Sequence, residues 1–447
     1  MKDGGNNMLS KEEMIRKDNE YIVRGWGKVG EPMYLVEGKG PMVKDIDGKE
    51  YLDCSSGLFS NNAGHCHPKI VQAIKDQAEK LIQPSMRHSN IPAVELAEKL
   101  AQIAPGDLKK VIFTTGGGET TEMALKLARG YTGKWEIIAL RNAFHGLGFG
   151  SIALTSGAKY KKDFGPVMPG VVRAPHAYCY RCPFKYPECD LWCADEIGRI
   201  AEDKGLSASH NGQIGSVIIE PIQGSGGIVP PEGWLTRVRE ICDKYGLLLI
   251  VDEIQTGFGR TGKMFACDHA EISPDIMCIS KGLTGGYLPM AIAVTTDKIY
   301  DAFYADYSEG KAFMHSHTYS GNPLACSAAN EVLAIMREES ILERANNNSA
   351  FFTQLINEKL TGHANVREIR SIGLINAVEL MEDKDNGRHF DPKKRIGYQI
   401  YKKALSKGLL LRPLGDVIYF NPPLTITRQE MDSVTDLCKE CICDVLG

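Results

Sequence analysis

Between residues 110 and 300, short apolar runs alternate with longer mixed segments. Val111–Phe113, Ile137–Leu140, Val217–Ile219, Leu247–Val251 and Ile276–Ile279 are continuous apolar runs, the pattern of strands buried on both faces. Between them, Glu119–Ala128 and Leu235–Tyr245 have the mixed, periodic character of helices. This alternation predicts a mainly parallel sheet between helices, an α/β architecture. Ligands in such sheets sit beyond the carboxyl ends of the strands, so the loops after these runs are where chemistry is expected.

The flanks follow a different pattern. Met42–Ile46 and Glu50–Asp53 surround Asp47-Gly48, a hairpin signal. From about residue 337, helical segments alternate with the apolar stretches Ile369–Leu380 and Val417–Phe420. We therefore expect residues 61–336 to form a large domain. Residues 1–60 and 337–447 should join in a smaller α+β domain. A cysteine-rich stretch at about 175–195 reads as an insert on the large domain.

Composition narrows the function. Of 447 residues, 43% are hydrophobic and 24% charged, an ordinary globular balance at a length suited to two domains. The net charge of -4 lacks the basic excess of a nucleic-acid binder. No apolar run approaches the ~20 residues of a membrane span. Met1–Ser10 is polar, without the apolar core of a secretory signal. Nine of the 13 cysteines are scattered, which fits a reducing cytoplasm.

Four segments carry candidate chemistry. In Leu248–Gly259, LLIVDEIQTGFG, a buried strand ends in Asp252 and Glu253. A carboxylate there needs a cationic or hydrogen-bonded partner, whether a helix cap, a salt bridge or a protonated pyridinium nitrogen. In Ile276–Gly286, IMCISKGLTGG, a second strand leads to Lys281. A lysine held near an apolar cavity loses its proton more easily, as imine formation with an aldehyde requires. In Val111–Thr121, VIFTTGGGETT, a glycine-rich turn opens a helix and presents backbone N–H groups to an anion such as phosphate. It has neither the Lys-Ser/Thr of a Walker loop nor dinucleotide glycine spacing. In Asn142–Gly146, NAFHG, Phe144 is suited to stack on a flat ring, with His145 beside it.

Together these segments resemble the class III family of aminotransferases dependent on pyridoxal phosphate, of fold type I. The resemblance runs from about Trp26 to the C-terminus. Its motifs stand in family order, among them GHCHP at 64–68, TTGGGETTEMALKLAR at 114–129, EPIQGSGG at 220–227, VDEIQTGFGRTG at 251–262, SKGLTGG at 280–286 and HTYSGNPLAC at 317–326.

The resemblance implies roles. Lys281 stands where the family has its Schiff-base lysine, and Asp252 where it has the partner of the pyridinium nitrogen. Gln255 matches the residue near the phenolic oxygen, and Glu220 a glutamate near the active site. Gly117 and Gly118 match the phosphate cup, and Phe144 the ring-stacking position. Thr318 resembles a phosphate ligand supplied by the other subunit, which implies a homodimer with shared sites. Arg412 resembles the arginine that clamps a substrate carboxylate. Trp26, Leu58 and Phe59 fall where the family lines its substrate pocket.

Three departures from the family pattern matter. Gly118 replaces a frequent serine in the phosphate cup. Phe144 replaces a frequent tyrosine. Ser225 stands where some members carry a glutamate that pairs with the arginine, so Arg412 should stay available to an anionic group.

The implied reaction is transamination in two half-reactions, from a small amino donor to a 2-oxo acid. The donor is expected to be an ω-amino acid such as β-alanine, 4-aminobutyrate or taurine; the acceptor is pyruvate or 2-oxoglutarate. A diaminopelargonate-type aminotransferase ranks lower. A lyase, racemase or mutase on the same fold retains the same lysine and aspartate.

Finally, Tyr178–Cys193, YCYRCPFKYPECDLWC, groups Cys179, Cys182, Cys189 and Cys193. Four such thiols can hold a structural zinc, pair as two disulfides, or remain free.

Overall fold

The computed structural model describes residues 10–25, 32–85, 87–203 and 214–447. Its centre is a seven-stranded sheet whose strands are ordered Lys110–Thr114, Ala291–Thr295, Ile276–Ile279, Leu248–Asp252, Ile214–Ile219, Glu136–Leu140 and Val171–Ala174. The last five run parallel. Ala291–Thr295 runs antiparallel to both its neighbours. All five apolar runs read from the sequence fall on strands; four are almost fully enclosed, with no exposed surface on Ile137, Val217, Ile218, Leu249, Ile250 and Ile276, whereas Val111–Phe113 is half-buried.

Two strands of this sheet were not legible as such. Val171–Ala174 lies at the edge and carries Arg173. The Arg173 guanidinium donates to the carbonyls of Leu140 at 3.1 Å and Thr155 at 2.8 Å, so a charge occupies a strand without breaking it. Ala291–Thr295 reverses the parallel order, a choice that its apolar character cannot encode.

Gly117–Thr132 covers the sheet with Met123, Ala124, Leu127 and Ala128, an apolar stripe at helical spacing. Gly133 ends it with φ +68°, the left-handed cap that glycine adopts without a steric penalty. The helix Pro323–Glu338 packs on Pro68–Ala78 and Ile91–Ile103.

The expected hairpin is present as Met42–Asp45 and Glu50–Asp53, paired antiparallel. Asp45 shapes its turn by accepting the backbone N–H of Asp47 at 3.0 Å and of Lys49 at 2.9 Å. Leu409–Leu410 then pairs in parallel with Glu50–Asp53, so the two ends of the chain meet in one sheet. The stretch Ile369–Leu380 is two strands, Val366–Ile372 and Ile375–Leu380, folded back at Gly373. They continue into Val417–Phe420 and Arg412–Leu414. This last pairing carries Arg412 toward the carboxyl ends of the large sheet. No helix among the described residues is long and apolar enough to cross a membrane.

Candidate active site

A cavity of about 320 Å³ opens at the carboxyl ends of the parallel strands. Asp252 ends one strand, and Lys281 follows the next. The cavity is lined by Lys281, Asp252, Gly117, Gly118, Phe144 and His145, and also by Glu220, Gln255, Leu58, Phe59 and Arg412. These residues thus converge from seven separate segments.

Lining this cavity, His145 and Asp252 form a buried hydrogen-bonded pair, with Asp252 as the carboxylate end. Its Oδ2 lies 2.7 Å from His145 Nδ1, and its Oδ1 accepts the Ile254 N–H at 3.1 Å. His145 is itself held by its backbone: its N–H donates to Thr155 at 2.8 Å, and its carbonyl accepts from Thr121 at 2.6 Å. Its Nε2 is buried with no partner among the described residues. The neighbouring Glu253 turns away from the cavity. It accepts from Thr256 and from the Cys267 N–H, the latter at 2.8 Å. Only one of the two strand-end carboxylates therefore reaches the site.

Lys281 sits in left-handed backbone, with φ +43°. Burial pushes its ammonium pKa down to about 8; Asp252 opposes the shift, and Arg412 adds to it. Its Nζ lies 5.3 Å from the centroid of the Phe59 ring, and the Arg412 guanidinium lies 5.2 Å from the same centroid. Glu220 accepts the N–H groups of Phe144 at 2.8 Å and Gly224 at 3.0 Å. Burial nonetheless raises its pKa to about 7, with Asp252 adding to the effect and His145 opposing it.

This donor set fits pyridoxal phosphate. Gly117 and Gly118 stand at the N-terminus of a 16-residue helix, where free N–H groups and the helix dipole favour a phosphate. Gly146 packs directly against this turn: a Cβ on it would press within 2.6 Å of the Gly118 Cα. A buried carboxylate, backed by a histidine, faces the same cavity as a partly desolvated lysine. A protonated ring nitrogen and an aldehyde match those two groups.

Several lining residues escaped the sequence reading. Tyr160 meets the Phe144 ring edge-on at 5.6 Å, and no local signal marked it. Ile254 follows two residues after Asp252 and lines the cavity too; the strand-end motif held that clue. Ile222 and Leu414 add apolar wall. Thr318 does not line the cavity. It is exposed, and its carbonyl accepts from Gln83 at 2.7 Å. Trp26 lies outside the described residues.

The expected zinc site finds no support. Cys179, Cys182, Cys189 and Cys193 are all free thiols, and among the described residues no group of three or more His, Cys, Asp or Glu is placed to hold a metal.

The family model described as Aminotransferase class-III matches residues 27–442. Among curated relatives, an adenosylmethionine-8-amino-7-oxononanoate aminotransferase of Geobacter sulfurreducens is 39% identical, covering 93% of each chain. An acetylornithine aminotransferase of Methanosarcina mazei is 37% identical, covering 98% of each. Among solved structures, an (S)-enantioselective omega-transaminase of Thermomicrobium roseum superposes with a TM-score of 0.92. It is 32% identical and covers 98% of this chain and 99% of that one. An adenosylmethionine-8-amino-7-oxononanoate aminotransferase of Methanocaldococcus jannaschii gives 0.90 at 32% identity, covering 98% and 100%.

Proposed function

This chain belongs to the class III aminotransferases, enzymes dependent on pyridoxal phosphate, and on that footing we propose that it moves the amino group of a short ω-amino acid to a 2-oxo acid. The observation that carries this reading is the shared ring. Lys281 and Arg412 both lie against Phe59 within one compact cavity, a spacing that a chain of a few carbons spans. A substrate carboxylate at Arg412 then places an amine near Lys281.

When bound, pyridoxal phosphate supplies an aldehyde and an electron-withdrawing ring. The residues do the rest. The N–H groups of Gly117 and Gly118 would bind its phosphate. Phe144 and Ile254 would enclose its ring, and Gln255 would stand near its oxygen. Asp252, oriented by His145, would hold a proton on its ring nitrogen. Lys281, with its lowered pKa, carries a proton to and from the substrate carbon. Arg412 orients the carboxylate by paired hydrogen bonds. Ser225 has no charge with which to close the Arg412 site, so the same arginine serves both donor and acceptor.

We also propose a homodimer. Thr318 is exposed and outside its own cavity, next to the exposed apolar Met314 and Tyr319. Light scattering should then give about twice the chain mass.

A second reading, favoured by the activity for which several relatives are named, is transfer from adenosylmethionine to 8-amino-7-oxononanoate. A donor-by-acceptor panel separates the two. The ω-amino acid reading expects turnover of β-alanine, 4-aminobutyrate or taurine with pyruvate or 2-oxoglutarate; activity confined to adenosylmethionine would replace it. Conversion of the cofactor to its amine form by donor alone marks transamination, whereas turnover without any acceptor would indicate a lyase or racemase.

A further inference from the structure

The segment 224–227 forms one wall of the cavity through Gly224 and Ser225. Three successive carbonyls of this segment are each captured by a side chain from a different part of the chain. Tyr419 donates to the Gly224 carbonyl at 2.9 Å. Asn142 donates to that of Ser225 at 2.5 Å. Arg370 Nη2 donates to that of Gly226 at 2.7 Å, and its Nε lies 3.2 Å from the Gly226 carbonyl and 3.3 Å from that of Gly227. Gly226 and Gly227 hold φ values of +113° and +57°. Such glycines lose much backbone freedom on ordering, and these three side chains add to the bonds the segment makes within itself, Gly226 N–H to the Gly224 carbonyl at 3.0 Å and the Gln223–Ile228 pair.

Arg370 is in turn oriented. It is buried, and its Nη1 donates to Glu379 at 2.7 Å, to the Tyr178 hydroxyl at 2.8 Å and to Glu368. The Tyr178 ring lies 5.0 Å from the guanidinium, and the Tyr178 hydroxyl donates to Glu379. Tyr178 immediately precedes Cys179. The neighbouring Tyr180 hydroxyl accepts from Arg367 at 2.7 Å. The cysteine-rich segment is therefore fastened to the C-terminal sheet where that sheet grips the cavity wall.

We propose that Arg370 is a positioning residue for the amino-transfer site. It fixes the Ser225 wall of the cavity, and the cysteine-rich segment, through Tyr178, holds Arg370 in the orientation that lets it do so. The planar guanidinium is suited to this work: one edge faces carboxylate and phenol while the other faces carbonyls, a division that a lysine ammonium cannot reproduce. The proposal rests on the reading of the cavity given above.

The test is backbone hydrogen–deuterium exchange on the full-length protein, paired with steady-state kinetics, for Tyr178→Phe and Arg370→Lys. Exchange across residues 220–230 should quicken roughly tenfold, the factor carried by one hydrogen bond to a charged group. The strands Leu248–Asp252 and Ile276–Ile279 should exchange as in the wild type. The KM of a carboxylate-bearing amine should rise about fivefold in Tyr178→Phe, with kcat within about twofold. Unchanged exchange at 220–230, or uniform quickening along the whole chain, would overturn the proposal, as would a loosened 220–230 segment with unaltered kinetics. If Arg370→Lys does not fold, Tyr178→Phe decides alone. If the wild type turns over no carboxylate-bearing amine, the functional reading falls, while the exchange result still judges the positioning role.

Discussion

Lys281 and Phe59 face one another at 5.3 Å, ammonium nitrogen to ring centroid, and both occupy left-handed backbone, at φ +43° and +60°. A bulky residue with positive φ costs energy, and such outliers persist where the surrounding structure imposes them. Here it does. Asp53 accepts the N–H of Ser55 at 2.8 Å, the Ser55 hydroxyl at 2.7 Å and the N–H of Gly57 at 2.8 Å, and it lies 3.0 Å from His65 Nε2. The buried carboxylate thereby clamps the turn that presents Phe59.

Asp53→Ala should therefore loosen the substrate pocket as well as the fold. It leaves buried donors without an acceptor, a loss of about 2–4 kcal/mol, measurable by urea unfolding. Burial opposes ionisation of Asp53, but the bonds from His65, Ser55 and Gly57 outweigh it and hold its pKa below 3.8. Its contribution is thus complete above pH 3.8 and disappears as the pH falls through that lower value.

Lys281 should report its desolvation in two ways. Uptake of pyridoxal phosphate by cofactor-free enzyme should rise with pH around a midpoint near 8, where the ammonium loses its proton; stopped-flow absorbance reads it. Between pH 8 and 10.5 the unfolded chain holds this proton and the folded chain does not, so stability rises with pH over that window. Lys281→Met should abolish turnover. It should also flatten this slope and stabilise the cofactor-free protein at pH 7 by about 1–3 kcal/mol.

Glu220 gives the opposite slope. It ionises near 4.5 when unfolded and at about 7 in the fold. Over that interval the folded state holds the extra proton, so stability falls as pH rises, by about 3 kcal/mol in total. Glu220→Gln should remove the dependence. Unfolding of cofactor-free wild type and variant at pH 5 and pH 8 checks it; parallel pH profiles would contradict the assignment.

Arg412 should govern carboxylates selectively. Arg412→Ala should raise the KM of carboxylate-bearing substrates about 100-fold, and Arg412→Lys about 10-fold, since lysine lacks the planar fork. Amines without a carboxylate should change little. Equal losses for both substrate types would remove Arg412 from the clamp role.

Much of this molecule was legible in one dimension. A continuous apolar run between helical stretches has few outcomes other than a buried strand, and the ends of such strands point to one edge of the sheet. Lys281, Asp252 and the Gly117–Gly118 turn were found this way, because strand, loop and helix start are local features. Tertiary structure decided which neighbours they meet. It chose Asp252 over Glu253, placed Phe59 beneath both Lys281 and Arg412, brought Tyr160 to the cavity and left Thr318 outside it. It also turned Tyr178 toward Arg370 and left the four adjacent cysteines as free thiols. These relations join residues far apart in the chain. They depend on how whole elements pack and on which polar groups burial forces to find partners, and no local pattern carries that information.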